Sequence, residues 1–159
     1  EYLALVEGTF HGRSVWTDLL VRDGKLKKSS AADRGGRSRG GKDALLTAES
    51  LAVGKELSLV RFTLHTGRTH QIRAQSSARH IPLAGDVKYG GHRLKELGLR
   101  ASGLPPYLLH AHRIQTADPA GAGELGIQRV TAPPPGYFLH SIEHIFGGRT
   151  AEKLSGPST

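Results

Sequence analysis

The chain has 159 residues, which is the length of about one domain and enough to bury a sizeable core. Its 22 Lys and Arg residues outnumber its 14 Asp and Glu residues, and the net charge of +8 favours a polyanion such as RNA or DNA as partner. The lack of cysteine excludes disulfide bonds and thiolate metal sites, and no apolar run is long enough to predict a membrane span.

Strand signals dominate the first part of the chain. Apolar and polar residues alternate there in short runs, several of which end at glycine. These runs predict strands at Glu1–Gly8, Ser14–Val21, Lys25–Lys28, Asp43–Leu51 and Glu56–His65. In the first strand, the alternation puts Tyr2 on one face and Leu3 and Leu5 on the other. Asp23-Gly24 is a favourable hairpin turn between the second strand and the third.

A basic, glycine-rich stretch interrupts the strands from Lys27 to Lys42. It contains six cations, one acid and four glycines and no aromatic residue, so we predict a mobile loop with nothing to bury. Its cations, Arg37 and Arg39 among them, could follow the backbone of an RNA. The stretch could equally be a solvated loop, and composition leaves both interpretations open.

Leu64–Gly91 carries more cations than a packing segment needs. A Thr-Gly turn ends the preceding strand, and Thr69 is suited to cap a helix running roughly over His70–Arg79. Arg68 would then precede the helix and Arg73 would lie one turn into it, where free backbone N–H groups also favour anions. This arrangement suits a phosphate or a carboxylate, and a solvated helix face is the alternative.

The second part of the chain mixes loops, strands and one clear helix. We predict a helical turn at Arg93–Leu97, a loop at Gly98–Pro106, a strand at Tyr107–Gln115, a turn at Asp118–Gly123 and a returning strand at Glu124–Val130. Three prolines then start a helix whose apolar residues recur at helical spacing, and residues 147–159 form a polar tail that we predict to be disordered. The fold class is α+β, with a mixed, mainly antiparallel sheet and a few helices.

The nine histidines raise the possibility of a metal site. His110 and His112 would share a strand face, and His140 and His144 lie four apart on the predicted helix, a spacing that zinc can use. Neither pair has a third ligand at a suitable spacing. We therefore expect no metal ion at these histidines.

Three ordered segments bear on identity. They read YLALVEG from Tyr2, LHTGRTHQIR followed by HIPLAGDVKYG within Leu64–Gly91, and LLHAHRIQTADPAGAGELGIQRVTAPPPGYF from Leu108. Together they resemble the RluA-type RNA pseudouridine synthase family, in that family's order, over most of residues 1–146. The resemblance implies a partial catalytic domain over 1–146, including the basic loop at 27–42.

The resemblance implies an isomerase that converts uridine to pseudouridine in structured RNA, ribosomal RNA ahead of transfer RNA, and it implies neither a metal nor an organic cofactor. It implies catalytic roles for Tyr2, which would contact the uracil and remove the proton at C5, and for Arg73, which would pair with a nucleophilic aspartate. It also suggests that the RNA-binding residues include Arg68, His70, Gln71 and Lys88, besides Arg37 and Arg39 of the basic loop. We expect a cytoplasmic monomer with RNA as its partner and no membrane.

The departures from the family pattern concern the nucleophile. The family carries its aspartate in an Arg-Leu-Asp segment placed before the first strand, and this chain has no Arg-Leu-Asp. Asp86 matches a structural Gly-Asp turn instead. We therefore expect an inactive C-terminal portion of a synthase in which Arg73 lacks its partner. The alternatives are an RNA-binding module without catalysis and a domain whose basic surface binds an acidic protein.

Overall fold

A computed structural model describes residues 1–32, 40–99, 104–115 and 129–155 of the chain. Within these ranges, six antiparallel strands form one sheet in the order β3-β2-β4-β5-β1-β6. The strands are β1 Tyr2–Glu7, β2 Arg13–Asp23, β3 Lys28–Ala32, β4 Lys42–Val53, β5 Leu57–Leu64 and β6 Leu109–Ala111. A separate ribbon pairs β7 Arg113–Gln115 with β8 Arg129–Thr131. The predicted α+β class and the mainly antiparallel sheet are confirmed.

Strand β1 lies between two hydrophobic cores. Its four central residues are fully buried, because the sheet is covered on both faces at this point. Leu3 and Leu5 belong to one core, whereas Ala4 and Val6 belong to the other, with Tyr2 packed against that second core. The predicted alternation of Tyr2 against Leu3 and Leu5 is therefore confirmed, and it directs the tyrosine to the second core.

The helices cover opposite faces of the sheet. On the side of the second core lies α1, Gln71–Ser77, followed by a 3₁₀ helix at Val87–Tyr89. On the side of the first core lie α2, Gly136–Phe146, and α3, Gly148–Ser155. No helix in the described part of the chain is long and apolar enough to cross a membrane.

The start of α1 differs from the prediction. The helix begins at Gln71 and not at His70, and Thr69 does not cap it. His70 occupies the N-cap position with φ 55°, a left-handed conformation that prevents the helix from beginning earlier. The side chain of Gln71 bridges the turn instead, since its Oε1 accepts a hydrogen bond from the backbone N–H of Arg68 at 2.9 Å.

Three other local predictions need correction. Strand β3 occupies Lys28–Ala32, inside the stretch predicted as a mobile loop, because it pairs with the end of β2. The predicted disorder of 147–159 is wrong for α3, where Ala151 joins the core with α2. The strand predicted at 107–115 is divided into β6, which pairs with β1, and β7, which pairs with β8. The turn predicted at 118–123 lies outside the described residues.

Candidate active site

An open pocket of about 210 Å³ lies where β1, the start of α1 and the segment before β6 meet. Leucine and isoleucine side chains from β5, β6 and α1 form its apolar wall. Its polar lining consists of Tyr2, Arg68, His70, Gln71, Arg73 and Tyr107. The two predicted catalytic residues and three of the predicted RNA-binding residues therefore meet in one pocket.

Regular backbone structure holds Tyr2 in this pocket. It is the first residue of β1 and is paired with Phe62 of β5 on one side and with Ala111 of β6 on the other. Its side chain is half-buried against the second core, so the ring is supported on one side while it lines the pocket. A tyrosine placed in this way can stack against a base that enters from solvent.

Gln71 anchors the turn that carries Arg68 into the pocket. The side chain of Gln71 is 3% exposed, and its Nε2 donates to the carbonyl oxygen of Leu45 at 3.1 Å. Its Oε1 accepts from the hydroxyl of Thr66 and from the backbone N–H of Arg68, both at 2.9 Å. Gln71 was predicted to contact RNA. Its amide is bonded inside the turn, and its contact with RNA stays a prediction.

Arg73 forms a buried, two-pronged ion pair with Asp86. Its Nε donates to Asp86 Oδ2 at 2.6 Å and its Nη2 donates to Oδ1 at 2.7 Å. The two side chains are 11% and 1% exposed. The expectation that Arg73 would be a cation without a partner is wrong, because the Gly-Asp turn that follows α1 brings Asp86 back against the helix.

Two tyrosine rings flank the guanidinium of Arg73. The guanidinium carbon lies 4.6 Å from the ring centroid of Tyr89 and 4.5 Å from that of Tyr107. The hydrogen bonds to Asp86 are the main cause that raises the pKa of Arg73 above its usual value, against an opposing effect of burial. The guanidinium is thus held charged and fixed in orientation at the edge of the pocket.

A hydrogen-bonded chain connects Tyr89 to His70. The hydroxyl of Tyr89 accepts from the backbone N–H of Ser29 and lies 2.9 Å from His70 Nδ1. Burial, followed by the charges of Arg73 and Lys88, lowers the pKa of His70 below 6.5. A neutral His70 can therefore accept the hydroxyl proton of Tyr89 at Nδ1 and keep its N–H at Nε2.

The remaining predicted RNA-binding residues are spread around the pocket. Arg68 is fixed through its Nε, which donates to the carbonyl oxygen of Asp43 at 2.8 Å. Lys88 is exposed outside the pocket lining, and its Nζ donates to the carbonyl oxygen of Lys27 at 2.7 Å. Arg37 and Arg39, also predicted to bind RNA, lie outside the described residues. RNA binding by these residues stays a prediction.

Sequence reasoning missed three residues of this site, Asp86 as the partner of Arg73 and the flanking rings of Tyr89 and Tyr107. Tyr89 had a usable signal, since it lies in the Gly-Asp-Val-Lys-Tyr-Gly string that carries part of the resemblance. Tyr107 follows two prolines in a stretch without periodicity. Only the fold brings it to Arg73.

Hydrogen bonds to the backbone engage the first of the two histidine pairs considered as metal ligands. In the described ranges, no three His, Asp or Glu side chains are grouped so that they could hold a metal ion. The ring nitrogens His110 Nε2 and His112 Nδ1 each lie 3.0 Å from the carbonyl oxygen of Ala132. A nitrogen that faces a carbonyl oxygen carries a proton, so neither nitrogen is available to a cation.

A sequence profile described as RNA pseudouridylate synthase matches residues 1–78. The chain is similar to the ribosomal large subunit pseudouridine synthase D of Neisseria meningitidis serogroup A, with 30% identity over 152 residues. That match covers 86% of this chain and 39% of the relative. A relative from Mycobacterium tuberculosis, named an uncharacterized RNA pseudouridine synthase, is 32% identical over 69% of this chain and 34% of its own length.

Solved structures agree with the sequence comparisons. The fold is similar to that of human RNA pseudouridylate synthase domain containing 1, with a TM-score of 0.64 and 25% identity. The match covers 90% of this chain and 56% of that structure. Human RNA pseudouridylate synthase domain containing 4 has the same TM-score with 26% identity, over 89% of this chain and 60% of that structure. The chain thus spans less than two thirds of these relatives.

Proposed function

The chain belongs to the RNA pseudouridylate synthase family, and we propose that it serves the isomerisation of uridine to pseudouridine in structured RNA. Ribosomal RNA is the substrate that we place ahead of transfer RNA. The name of the Neisseria relative, which refers to the large ribosomal subunit, supports this order.

The observation that carries the proposal is the pocket itself. Tyr2 opens the first strand and Arg73 lies in α1, far along the sequence, yet both line one cavity beside Tyr107. The cavity combines aromatic faces for a base with fixed cations for the charges that surround it. That combination suits a nucleotide extruded from its stack.

The reaction requires a bond exchange within one nucleotide. The bond between uracil N1 and ribose C1′ breaks, the base turns within the pocket, and C5 forms the new bond to C1′ as its proton leaves. In this proposal Tyr2 contacts the base, and its phenol oxygen takes the C5 proton while it passes its own hydroxyl proton to water. N1 of the turned base gains a proton from water, so the isomerisation leaves the nucleotide with the same number of protons. Arg73, held by Asp86, keeps a positive charge directed at the reacting centre.

The proposed nucleophile is a carboxylate that Arg73 keeps ionised, and the described pocket lining contains none. Asp86 does not fit this role, because it is 1% exposed and Arg73 donates to both of its oxygens. Within the described residues, Nη1 of Arg73 has no hydrogen-bond acceptor, so it can receive a second carboxylate. We therefore propose that these 159 residues are inactive by themselves.

The test is a pseudouridine assay with two proteins and two RNAs. The 159-residue chain and the full-length product of its gene are each incubated with uridine-containing ribosomal and transfer RNA. Chromatography of the digested nucleosides then quantifies pseudouridine. The proposal expects product from the full-length protein, more from ribosomal RNA, and none from the chain alone.

Other outcomes separate the parts of the proposal. Product from the chain alone would show that a residue already present acts as the nucleophile. RNA binding without product from either protein would instead favour an RNA-binding module that has lost catalysis.

A further inference from the structure

A second cavity, of about 180 Å³, lies next to the pocket of Tyr2 and Arg73. We call it the basic groove and define it by its three cations, Arg22, Lys42 and Arg68. Arg68 lines both cavities, so the groove and the pocket form one continuous surface.

Strand register places two of these cations on one face of the sheet. Lys42 at the start of β4 is directly opposite Leu20 of β2, and Arg22 lies two residues beyond Leu20 on the same face. Both cations are exposed at their ends, whereas Leu20 below them is 4% exposed. The groove therefore has an apolar floor and a charged rim.

The turn after β5 supplies the third cation. Arg68 is half-buried, and the bond from its Nε to the carbonyl oxygen of Asp43 fixes the direction of its guanidinium. Gly67 and Thr69 flank it and line the groove with it. An arginine that is fixed in this way loses less conformational freedom when it binds an anion than a free surface arginine does.

The groove is electropositive. Its described lining contains three cations and no carboxylate. Its field extends to the neighbouring pocket, since the charge of Arg22 contributes to the lowered pKa of His70 after burial, Arg73 and Lys88. Cations that line one groove without an acid favour an anionic ligand that is small enough to enter it.

We propose that the basic groove binds one backbone phosphate of the RNA, next to the nucleotide whose base enters the pocket of Tyr2 and Arg73. This inference rests on the proposed function and adds to it the path of the RNA chain. The RNA would run from the pocket past Arg68 and across the end of β2 and the start of β4. An acidic peptide is the competing ligand, but the continuity of the groove with a base-sized pocket favours a nucleic acid.

The experiment measures binding of a single-stranded, uridine-containing oligonucleotide to the full-length protein at several salt concentrations. The variants are Lys42→Gln and Arg22→Gln, which remove a charge from the groove but keep a long side chain. Lys55→Gln is the matched control, because it removes the same charge from an exposed residue beyond the opposite end of β4. Thermal melting checks that each variant is folded.

Each groove variant should reduce the slope of log affinity against log salt by about 0.7, the value for one lost phosphate contact on a single strand. The Lys55→Gln protein should keep the slope of the parent. A second oligonucleotide carries one uncharged methylphosphonate linkage next to the target uridine. It should bind the parent more weakly than the normal oligonucleotide does, and this difference should be smaller for Lys42→Gln and for Arg22→Gln.

Two results would overturn the inference. One is an equal slope for Lys42→Gln, Arg22→Gln and Lys55→Gln. The other is an effect of the groove variants on polyglutamate binding that matches their effect on RNA, which would assign the groove to an acidic peptide. Pseudouridine is measured in the same samples, so a groove that binds phosphate without any product would contradict the proposed function alone.

Discussion

Arg73 and Asp86 form a bidentate ion pair, with donor–acceptor distances of 2.6 and 2.7 Å, that joins α1 to the Gly-Asp turn after it. The pair is almost removed from solvent, since the side chains are 11% and 1% exposed. A buried pair contributes little net stability when complete, but the loss of one member leaves an uncompensated charge. Asp86 therefore positions Arg73 and also makes the site sensitive to substitution.

We expect Asp86→Ala to destabilise the fold by about 3–5 kcal/mol, because it strands the charge of Arg73 in a buried position. Urea unfolding measures this loss. Glu49→Ala is the control, since it breaks an ion pair that solvent reaches. In that pair the side chain of Arg61 is 35% exposed and that of Glu49 is 42% exposed. The control should lose about 0–1 kcal/mol. Equal losses in the two variants would contradict a buried role for Asp86.

Tyr89→Phe should lower the free energy of unfolding by about 1–3 kcal/mol, because the buried N–H of Ser29 would lose its acceptor. His70 would also lose its contact with the hydroxyl. Urea unfolding of Tyr137→Phe provides the comparison, since Tyr137 is 43% exposed. If both variants unfold at the same urea concentration, the contacts of the Tyr89 hydroxyl with Ser29 and His70 do not stabilise the fold.

Gly91→Ala should destabilise the fold by about 1–3 kcal/mol or more, as overpacking does. A Cβ at this position would lie 2.2 Å from the carbonyl oxygen of Leu83 and 2.8 Å from the backbone nitrogen of Asp86. Gly136→Ala is the matched control. It is the same substitution, but a Cβ added at Gly136 would meet nothing within 4 Å. It should leave stability unchanged or raise it by about 0.5–1 kcal/mol, as in other helices. Thermal melting of both variants tests this difference.

The stability of the protein should fall as the pH decreases below 6.5, in part through His70. Burial lowers the pKa of His70 in the folded state, so the unfolded chain binds the proton first. The contribution of the neutral His70 to the free energy of unfolding is complete above pH 6.5. It is lost as the pH falls toward the lower pKa that His70 has in the folded state. Burial acts in the same direction on the pKa of His112.

Urea unfolding of His70→Asn across this pH range isolates the effect. Asparagine tolerates the left-handed backbone at this position, φ 55°, but does not titrate. The variant should therefore depend less on pH than the parent, and adding His112→Gln should flatten the dependence further. A pH dependence in His70→Asn that equals that of the parent would contradict this assignment.

The sequence predicted most elements because their signals are local. Strand alternation placed β1, and the spacing of apolar residues such as Phe138 and Ile142 predicted α2. The tail was misjudged because Gly147-Gly148 normally ends a helix. Only Ala151 and Leu154, too few for a periodic signal, pack α3 back on the core.

The site was predictable only in part, for a similar reason. The resemblance indicated Arg73 and Tyr2, and the structure places them in one pocket. The partner of Arg73 could not be predicted, because no periodicity relates α1 to the turn that carries Asp86. The turn before α1 also depends on a long side chain, that of Gln71, and no side chain caps the helix, whereas capping rules favour the small Thr69.

The most direct test of the account is the rate of pseudouridine formation by the full-length protein with Arg73→Lys. Lysine keeps the charge but cannot form the two-pronged contact or lie flat between the tyrosine rings. We expect a loss of about 100-fold, the size typical for removal of one aligned donor at a reacting centre. Tyr2→Phe, which loses only a hydroxyl, should also be impaired, whereas Lys55→Gln should retain the rate of the parent. Equal rates for the folded Arg73→Lys protein and the parent would contradict the assignment of this pocket as the site of isomerisation.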